Sequence, residues 1–190
     1  MSNDSYLVRL NELLTNPKIQ PKVKVLVQLL RAKIIEGRTI WIMGNGGSAS
    51  TAEHFETDLS YIRKSSQKTS IRSTAITANS SLTTAISNDL GFDYVFSHQL
   101  ERKASRGDIC FVISASGNSN NLVEAVQVAK LMGLGTIGLI GFDGGKLLEL
   151  CDLTILTKST VGDYGPVEDC HLAICHYIAE ELKSQLFEDL

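Results

Sequence analysis

Residues 39–49 have the sequence TIWIMGNGGSA, in which a short apolar run passes directly into a cluster of glycines. The run Thr39–Met43 is typical of a buried strand, because it is short, apolar and ends at glycine. The glycines allow a tight turn, and a helical pattern begins at Ala49. A strand, a glycine turn and a helix in this order indicate an α/β fold.

The same alternation continues to the end of the chain. Further strand-like runs are predicted at Ser73–Thr77, Ile109–Ile113, Thr136–Ile140 and Leu153–Leu156. Helical patterns are predicted at Ala49–Ile62, Ser81–Leu90, Tyr94–Lys103, Leu122–Met132, Lys146–Leu150 and, last, Val167–Phe187. Strands that alternate with helices predict a parallel sheet covered on both faces, and five strands favour a doubly wound, flavodoxin-like sheet.

The N-terminal segment has apolar residues at helical spacing between residues 5 and 36. Pro17 and Pro21 are predicted to divide this segment into two helices, because proline breaks a helix interior. Gly37 is the predicted end of the second helix. We interpret the chain as a single domain over residues 1–190, with N-terminal helices in 1–36 and an α/β sandwich in 37–190.

The composition excludes several classes of protein. The chain has 190 residues, 43% of them hydrophobic, which is enough for a core and argues against disorder. Eighteen Lys and Arg against 21 Asp and Glu give a net charge of −3, so a dedicated nucleic-acid binder is not expected. Neither a membrane span nor a secretory signal is expected. Four scattered cysteines predict core residues in a reducing cytoplasm.

The glycine loop Gly44–Ala49 has three possible interpretations. A Walker P-loop requires a lysine, which this loop lacks. A dinucleotide fingerprint fits Gly44, Gly46 and Ala49, but the expected acidic residue is missing after the second strand. The third interpretation is a plain strand-to-helix turn.

A second loop, Ser114–Asn120, follows the third predicted strand and is rich in hydroxyl groups. Hydroxyls and free backbone N–H groups at the start of a helix can hold a phosphate without a cation. Serine and asparagine are also ordinary capping residues, so this loop by itself leaves both interpretations open. Two such loops at neighbouring strand ends favour an anion site.

Histidines and carboxylates on two predicted helices form the third motif. His54 and Asp58 are four residues apart and therefore lie on one helix face, and the last helix carries Glu168, His171 and His176. Such pairs suit a divalent metal or proton transfer, although exposed helices also often pair histidine with acids without a functional role. The fourth histidine, His98, is predicted at the surface.

Together these motifs resemble the sugar isomerase (SIS) domain family, and more narrowly the bacterial phosphoheptose isomerases. The motifs that carry the resemblance are Gly44–Ser48, His54-Phe55, Ser87–Phe92, Ser114–Ser119 and Gly141–Gly145. The resemblance implies conversion of sedoheptulose 7-phosphate to D-glycero-D-manno-heptose 7-phosphate, toward heptoses for lipopolysaccharide or capsule. It also implies a cytoplasmic homotetramer with active sites between subunits and a bound zinc ion.

The resemblance further implies which residues form the site. Contacts with the sugar are implied for Asn45, Gly46, Gly47, Ser48, Asn88 and Asp89. The phosphate is implied to lie at Ser114, Ala115, Ser116 and Ser119. Metal or acid–base roles are implied for His54 and His176, and we predict that Asp58 and Glu168 complete a zinc site with them. Three of these, Asp58, Glu168 and His176, are also the implied catalytic residues, and the two carboxylates are implied to contact the substrate.

Three positions depart from the family pattern. The family has glutamate where this chain has Asp58, glutamine where it has Glu168, and threonine where it has Ala115. Because aspartate is one methylene shorter, we predict that its helix lies closer to the substrate or that Glu168 takes part of the role of the base. His176 is the predicted acid that serves the sugar oxygens.

Alternatives from other classes remain open in the sequence. Some SIS proteins are non-catalytic adaptors that bind the replication initiator, and others are regulators that sense sugar phosphates. An isomerase of a different sugar phosphate is a third alternative. Since both histidines and two carboxylates are present, the enzyme is favoured.

Overall fold

The computed structural model describes residues 5–62 and 71–187. Its helices are α1 Tyr6–Leu14, α2 Ile19–Ile35, α3 Gly47–Tyr61, α4 Ser80–Asp89, α5 Ser97–Lys103, α6 Asn120–Leu131, α7 Leu147–Leu150 and α8 Tyr164–Phe187. Its strands are β1 Thr39–Gly44, β2 Arg72–Ala75, β3 Ile109–Ser114, β4 Gly135–Phe142 and β5 Leu153–Lys158.

The five strands form one parallel sheet in the order β2-β1-β3-β4-β5. This is the doubly wound, flavodoxin-like order, so the predicted fold class is confirmed. Ile42 of β1 pairs with Ala75 of β2 on one side and Phe111 of β3 on the other. Because β1 and β3 are neighbours and parallel, the loops after them leave the sheet at the same edge, side by side.

The sheet is buried on both faces, as the apolar strand sequences predicted. Along β1, Ile40 and Ile42 pack into a cluster that includes α2, α3 and α8 residues, whereas Trp41 and Met43 pack into a cluster with α5 and α6. The four cysteines are free and buried, divided between these two clusters. They are core residues, as expected.

The predicted role of Pro21 as a helix breaker is wrong. Pro17 lies between α1 and α2, but Pro21 is the third residue of α2. An N–H in the first turn has no intrahelical partner, so proline is tolerated there. Pro166 is likewise the third residue of α8, which begins at Tyr164, three residues before the predicted start at Val167.

The predicted end of α2 is confirmed. Gly37 has a φ of 72°, and its N–H donates to the carbonyl of Ile34 at 2.9 Å. The next N–H, of Arg38, donates to the carbonyl of Lys33 at 3.0 Å. These paired bonds close the helix in a Schellman motif, which requires the left-handed conformation that glycine adopts readily.

Within the described ranges, no helix combines the length and the apolar character needed to cross a membrane.

Candidate functional site

The loops after β1 and β3 enclose a small pocket, which we call the loop pocket. Its volume is about 140 Å³. It is lined by Asn45, Ser48, Ile113, Ser114, Ala115, Ser116, Ser119, Leu122, Tyr164 and Glu168. The structure therefore brings together the glycine loop and the serine loop, as the positions of the strands predicted.

The serine loop is folded so that its hydroxyl oxygens accept bonds from its own backbone. Ser114 Oγ accepts from the N–H of Gly117 at 3.0 Å, and Ser116 Oγ accepts from the N–H of Asn118 at 3.2 Å. Since a hydroxyl also donates one hydrogen, both groups can still donate to a ligand. Gly117 has a φ of 65°, and a Cβ there would lie 2.0 Å from the carbonyl oxygen of Gly144, so only glycine fits.

The two loops are joined by a reciprocal pair of amide bonds. Asn45 Nδ2 donates to Asn121 Oδ1 at 2.9 Å, and Asn121 Nδ2 donates to Asn45 Oδ1 at 3.0 Å. Asn121 is buried in the first turn of α6. The pair holds the glycine loop against the start of α6, where the helix dipole favours an anion.

Glu168, on α8, also lines the loop pocket. A Cβ added to Gly47 would lie 2.3 Å from Glu168 Oε2, so the missing side chain at Gly47 makes room for this carboxylate. The carboxylate therefore lies beside the first turn of α3, where a negative charge is favourable. Among the residues that line this pocket, Glu168 is the one with a charged side chain. The lining includes neither Lys nor Arg.

A second cluster lies where α3 and α8 run side by side, and we call it the triad: His54, Asp58 and His176. His54 Nε2 and His176 Nε2 are 3.0 Å apart, and each lies 3.6 Å from an Asp58 oxygen. The side chains of both histidines are about half exposed, at 51% and 46%. The two histidines predicted to act together therefore meet at one exposed site.

A groove of about 440 Å³ opens beside the triad. Besides the triad it is lined by Tyr61, Ile62, Ala179, Glu180 and Lys183. It is larger than the loop pocket and continues along α8 toward the C-terminal end of the helix.

The triad has the donor set of a metal site. One atom from each of its residues lies within 4.8 Å of the other two. Two imidazoles and a carboxylate are common zinc ligands, and ligand atoms about 2.1 Å from a tetrahedral ion are separated by about 3.4 Å. The observed separations of 3.0 and 3.6 Å lie on either side of that value, so the residues fit such an ion.

The predicted set of four metal ligands is not assembled within one chain. Glu168 and His176 are eight residues apart on α8, which corresponds to about 12 Å along the helix axis. Glu168 consequently lines the loop pocket, and it does not belong to the triad. The eight-residue spacing places Glu168 and His176 about two turns apart along α8.

Four predicted residues line neither the loop pocket nor the triad groove: Gly46, Gly47, Asn88 and Asp89. Asn88 and Asp89 are exposed at the end of α4, and Asn88 Nδ2 donates to Asp89 Oδ1 at 2.8 Å. Gly46 has a φ of 55° at the start of α3, a left-handed conformation that glycine adopts readily. Its role is therefore in the turn between β1 and α3. His98, predicted at the surface, is half-buried.

Tyr164 is a lining residue that the sequence analysis did not identify. It is the first residue of α8 and lies four residues before Glu168, so both side chains face the loop pocket. The predicted helix start at Val167 concealed this relation. If the predicted helix had begun one turn earlier, the four-residue spacing would have placed Tyr164 on the same helix face as Glu168.

His171 is a core residue. It is fully buried, and its Nε2 lies 2.8 Å from Thr157 Oγ1. The Thr157 hydroxyl also donates to the carbonyl of Ile140 at 3.2 Å. Burial lowers the pKa of His171 from 6.5 to about 3, so the ring is neutral and takes no part in the triad.

His171 should make the fold sensitive to acid. Above pH 6.5 the ring is neutral in both states, and as the pH falls toward 3 only the unfolded chain gains the proton. The free energy of unfolding should fall by up to about 1.4 kcal/mol per pH unit in that range. We expect His171→Gln, which keeps an N–H donor but does not titrate, to show a weaker loss between pH 7 and pH 5 in urea unfolding. Equal losses in both proteins would contradict this assignment.

Comparisons with known proteins agree with this architecture. The family model described as "SIS domain" matches residues 5–141. A phosphoheptose isomerase from Helicobacter hepaticus is 40% identical over 91% of this chain and 85% of its own length. One from Aliarcobacter butzleri is 36% identical over 98% of this chain and 94% of its own length. The structure of a phosphoheptose isomerase from Neisseria gonorrhoeae superposes with a TM-score of 0.83 at 29% identity, covering 93% of this chain and 92% of that one.

Proposed function

The chain belongs to the SIS domain family and, within it, to the phosphoheptose isomerases, and from this we propose that it converts sedoheptulose 7-phosphate to D-glycero-D-manno-heptose 7-phosphate. It is an aldose–ketose isomerase rather than an adaptor. The product would supply heptose for lipopolysaccharide or capsule, and the reaction would take place in the cytoplasm. The whole chain, 1–190, would form one SIS domain, since the Tyr6 hydroxyl of α1 donates a hydrogen bond to the Asp169 carboxylate of α8.

The observation that carries this proposal is the pairing of an anion pocket with an acid–base cluster. The loop pocket offers serine hydroxyls and the start of α6 to a phosphate, and neutral donors of this kind bind phosphate oxygens well. The triad offers imidazole and carboxylate groups to the other end of the sugar. An isomerase of sugar phosphates needs both parts.

The isomerisation moves a carbonyl from C2 to C1 of the open-chain sugar. In the proposed mechanism, Asp58 removes a proton from C1, and the electron pair forms the C1–C2 double bond of an enediol. His176 gives a proton to the C2 oxygen and takes one from the C1 oxygen. The proton then returns to C2 and completes the aldose. Both groups must lie within about 3 Å of the atoms they serve.

Zinc is the metal that we propose for the triad, with His54, Asp58 and His176 as its ligands from one chain. It would be held by Nε2 of each histidine and one Asp58 oxygen, which leaves His176 Nδ1 and the other Asp58 oxygen for the proton transfers. A bound zinc ion would polarise the sugar carbonyl and so ease removal of the neighbouring proton. Glu168 of a second subunit is the proposed fourth ligand, since it lies about two turns of α8 away from the triad within its own chain.

We propose that the enzyme is a homotetramer with active sites between subunits. Within one chain the triad is half exposed and lies far from Glu168 along α8. A symmetric neighbour would place its own loop pocket over this open cluster. Such an arrangement joins the two halves of the site without any change in the fold of the chain.

Deuterium exchange tests the reaction directly. The protein is incubated with sedoheptulose 7-phosphate in D2O, and the product is analysed by NMR. We expect an aldose product that carries solvent deuterium at C2, because the enediol exchanges its proton. A second incubation with a chelator should lower the rate, and added zinc should restore it.

Two outcomes would contradict the proposal. Absence of product with this sugar phosphate, but turnover of another one, would show an isomerase of different specificity. An unchanged rate after complete removal of metal, confirmed by elemental analysis, would contradict the role of zinc and leave the carboxylate and histidine chemistry to be tested separately.

A further inference from the structure

The outer wall of the loop pocket is formed by the first turns of α8. Tyr164 and Glu168 are four residues apart on this helix and both line the pocket, opposite the serine loop. The proposed function gives a role to Glu168 but none to Tyr164. The tyrosine is 52% exposed and is one of the residues that line the pocket.

The ring of Tyr164 is held in place by Phe142, at the end of β4. The two ring centroids are 5.0 Å apart and the planes meet at 76°, an edge-to-face contact. Phe142 is 2% exposed and has a φ of 49°, the one positive φ at a non-glycine residue in the ranges 5–62 and 71–187. Such a conformation is unfavourable for a bulky residue, and strain of this kind concentrates at functional sites.

The size of the loop pocket explains why a residue at its edge is important. Its 140 Å³ is about a third of the 440 Å³ of the triad groove, so it suits one end of an extended sugar phosphate rather than the whole molecule. The hydroxyl groups that line it suit the phosphate end. The carbon chain of a bound sugar phosphate must then leave the pocket past the α8 wall, where Tyr164 is the apolar surface.

We propose that Tyr164 is a specificity-determining residue whose ring packs against the carbon chain next to the phosphate, and that Phe142 is its positioning residue. This inference rests on the proposed function for the identity of the ligand. The serine loop binds the charged phosphate group, whereas the tyrosine ring contacts the carbon chain that is attached to it. Its hydroxyl group is not required for this contact.

The test compares Tyr164→Ala with Tyr164→Phe. For the alanine variant we expect KM and the Kd for sedoheptulose 7-phosphate to rise about tenfold, the equivalent of uncovering about two CH2 groups, with kcat little changed. The phenylalanine variant should remain within about threefold of wild type, since it keeps the ring. Inorganic phosphate should inhibit, or bind in calorimetry, equally well in all three proteins, because it has no carbon chain.

A double-mutant cycle with Phe142→Leu tests the positioning role. We expect Phe142→Leu alone to raise KM, but to have little further effect in the Tyr164→Ala background, because both changes remove one contact. A general loss of stability would instead give additive effects and a lower Tm. Additive effects on KM would therefore overturn the role of Phe142.

Three results would overturn the role of Tyr164 itself. They are an unchanged KM and Kd in Tyr164→Ala, an equal loss in Tyr164→Phe, and an equal loss of binding for inorganic phosphate. Failure of the proposed function is distinguished from these, because wild-type protein would then show no turnover of the heptulose phosphate. The calorimetric comparison of sugar phosphate with inorganic phosphate would still test Tyr164.

Discussion

Asp58→Asn is expected to lower kcat by about 10²–10⁴-fold, the contribution typical of a general base. The amide has nearly the same size as the carboxylate, but it cannot accept the proton from C1 of the sugar. Asp58 is also the carboxylate that faces both His54 and His176, each at 3.6 Å. Turnover of sedoheptulose 7-phosphate at saturating substrate measures the effect.

Three matched variants show whether the effect belongs to this carboxylate. Asp58→Glu keeps the charge and should lose less activity than Asp58→Asn, although it places the carboxylate about 1.5 Å farther from the main chain. Glu101→Gln removes an exposed carboxylate on α5, outside both the loop pocket and the triad groove, and should leave kcat unchanged. Glu168→Gln tests the other carboxylate. Near wild-type turnover in both Asp58→Asn and Glu168→Gln would contradict a carboxylate base.

Co-expressing two inactive variants is expected to restore about a quarter of wild-type activity, if each site takes its pocket and its triad from different subunits. His176→Ala destroys the triad, and Ser116→Asp places a negative charge in the loop pocket, where it repels phosphate. Each variant alone should be inactive. In randomly mixed tetramers, half of the pockets and half of the triads are intact, so about one site in four has both.

Co-expression with two different affinity tags isolates the mixed tetramers for assay. The control is a mixture of the two separately purified proteins, which should stay inactive as long as subunits do not exchange. Sedimentation gives the oligomeric state of each preparation. Mixed tetramers without activity would show that the pocket and the triad act within one chain, and a monomer in solution would contradict the shared site altogether.

Much of the fold could be predicted because its determinants are local. The apolar run of β1, the glycines after it and the left-handed Gly37 each specify their own backbone through a few neighbouring residues. One wrong prediction was also local in origin: Pro21 is tolerated in the first turn of α2, where the N–H that it lacks has no partner.

The sequence by itself determined the five-strand alternation, the serine loop at the start of α6 and the four-residue spacing of His54 and Asp58, since each of these depends on residues close together in the chain. Only the tertiary structure decided that His176 joins this pair across 122 positions, that His171 turns into the core, and that Glu168 lies in the other pocket. The physical reason is that the packing of α3 against α8, and of α8 against the sheet, fixes which face of each helix is covered. That choice depends on contacts between distant segments, which no short stretch of sequence specifies.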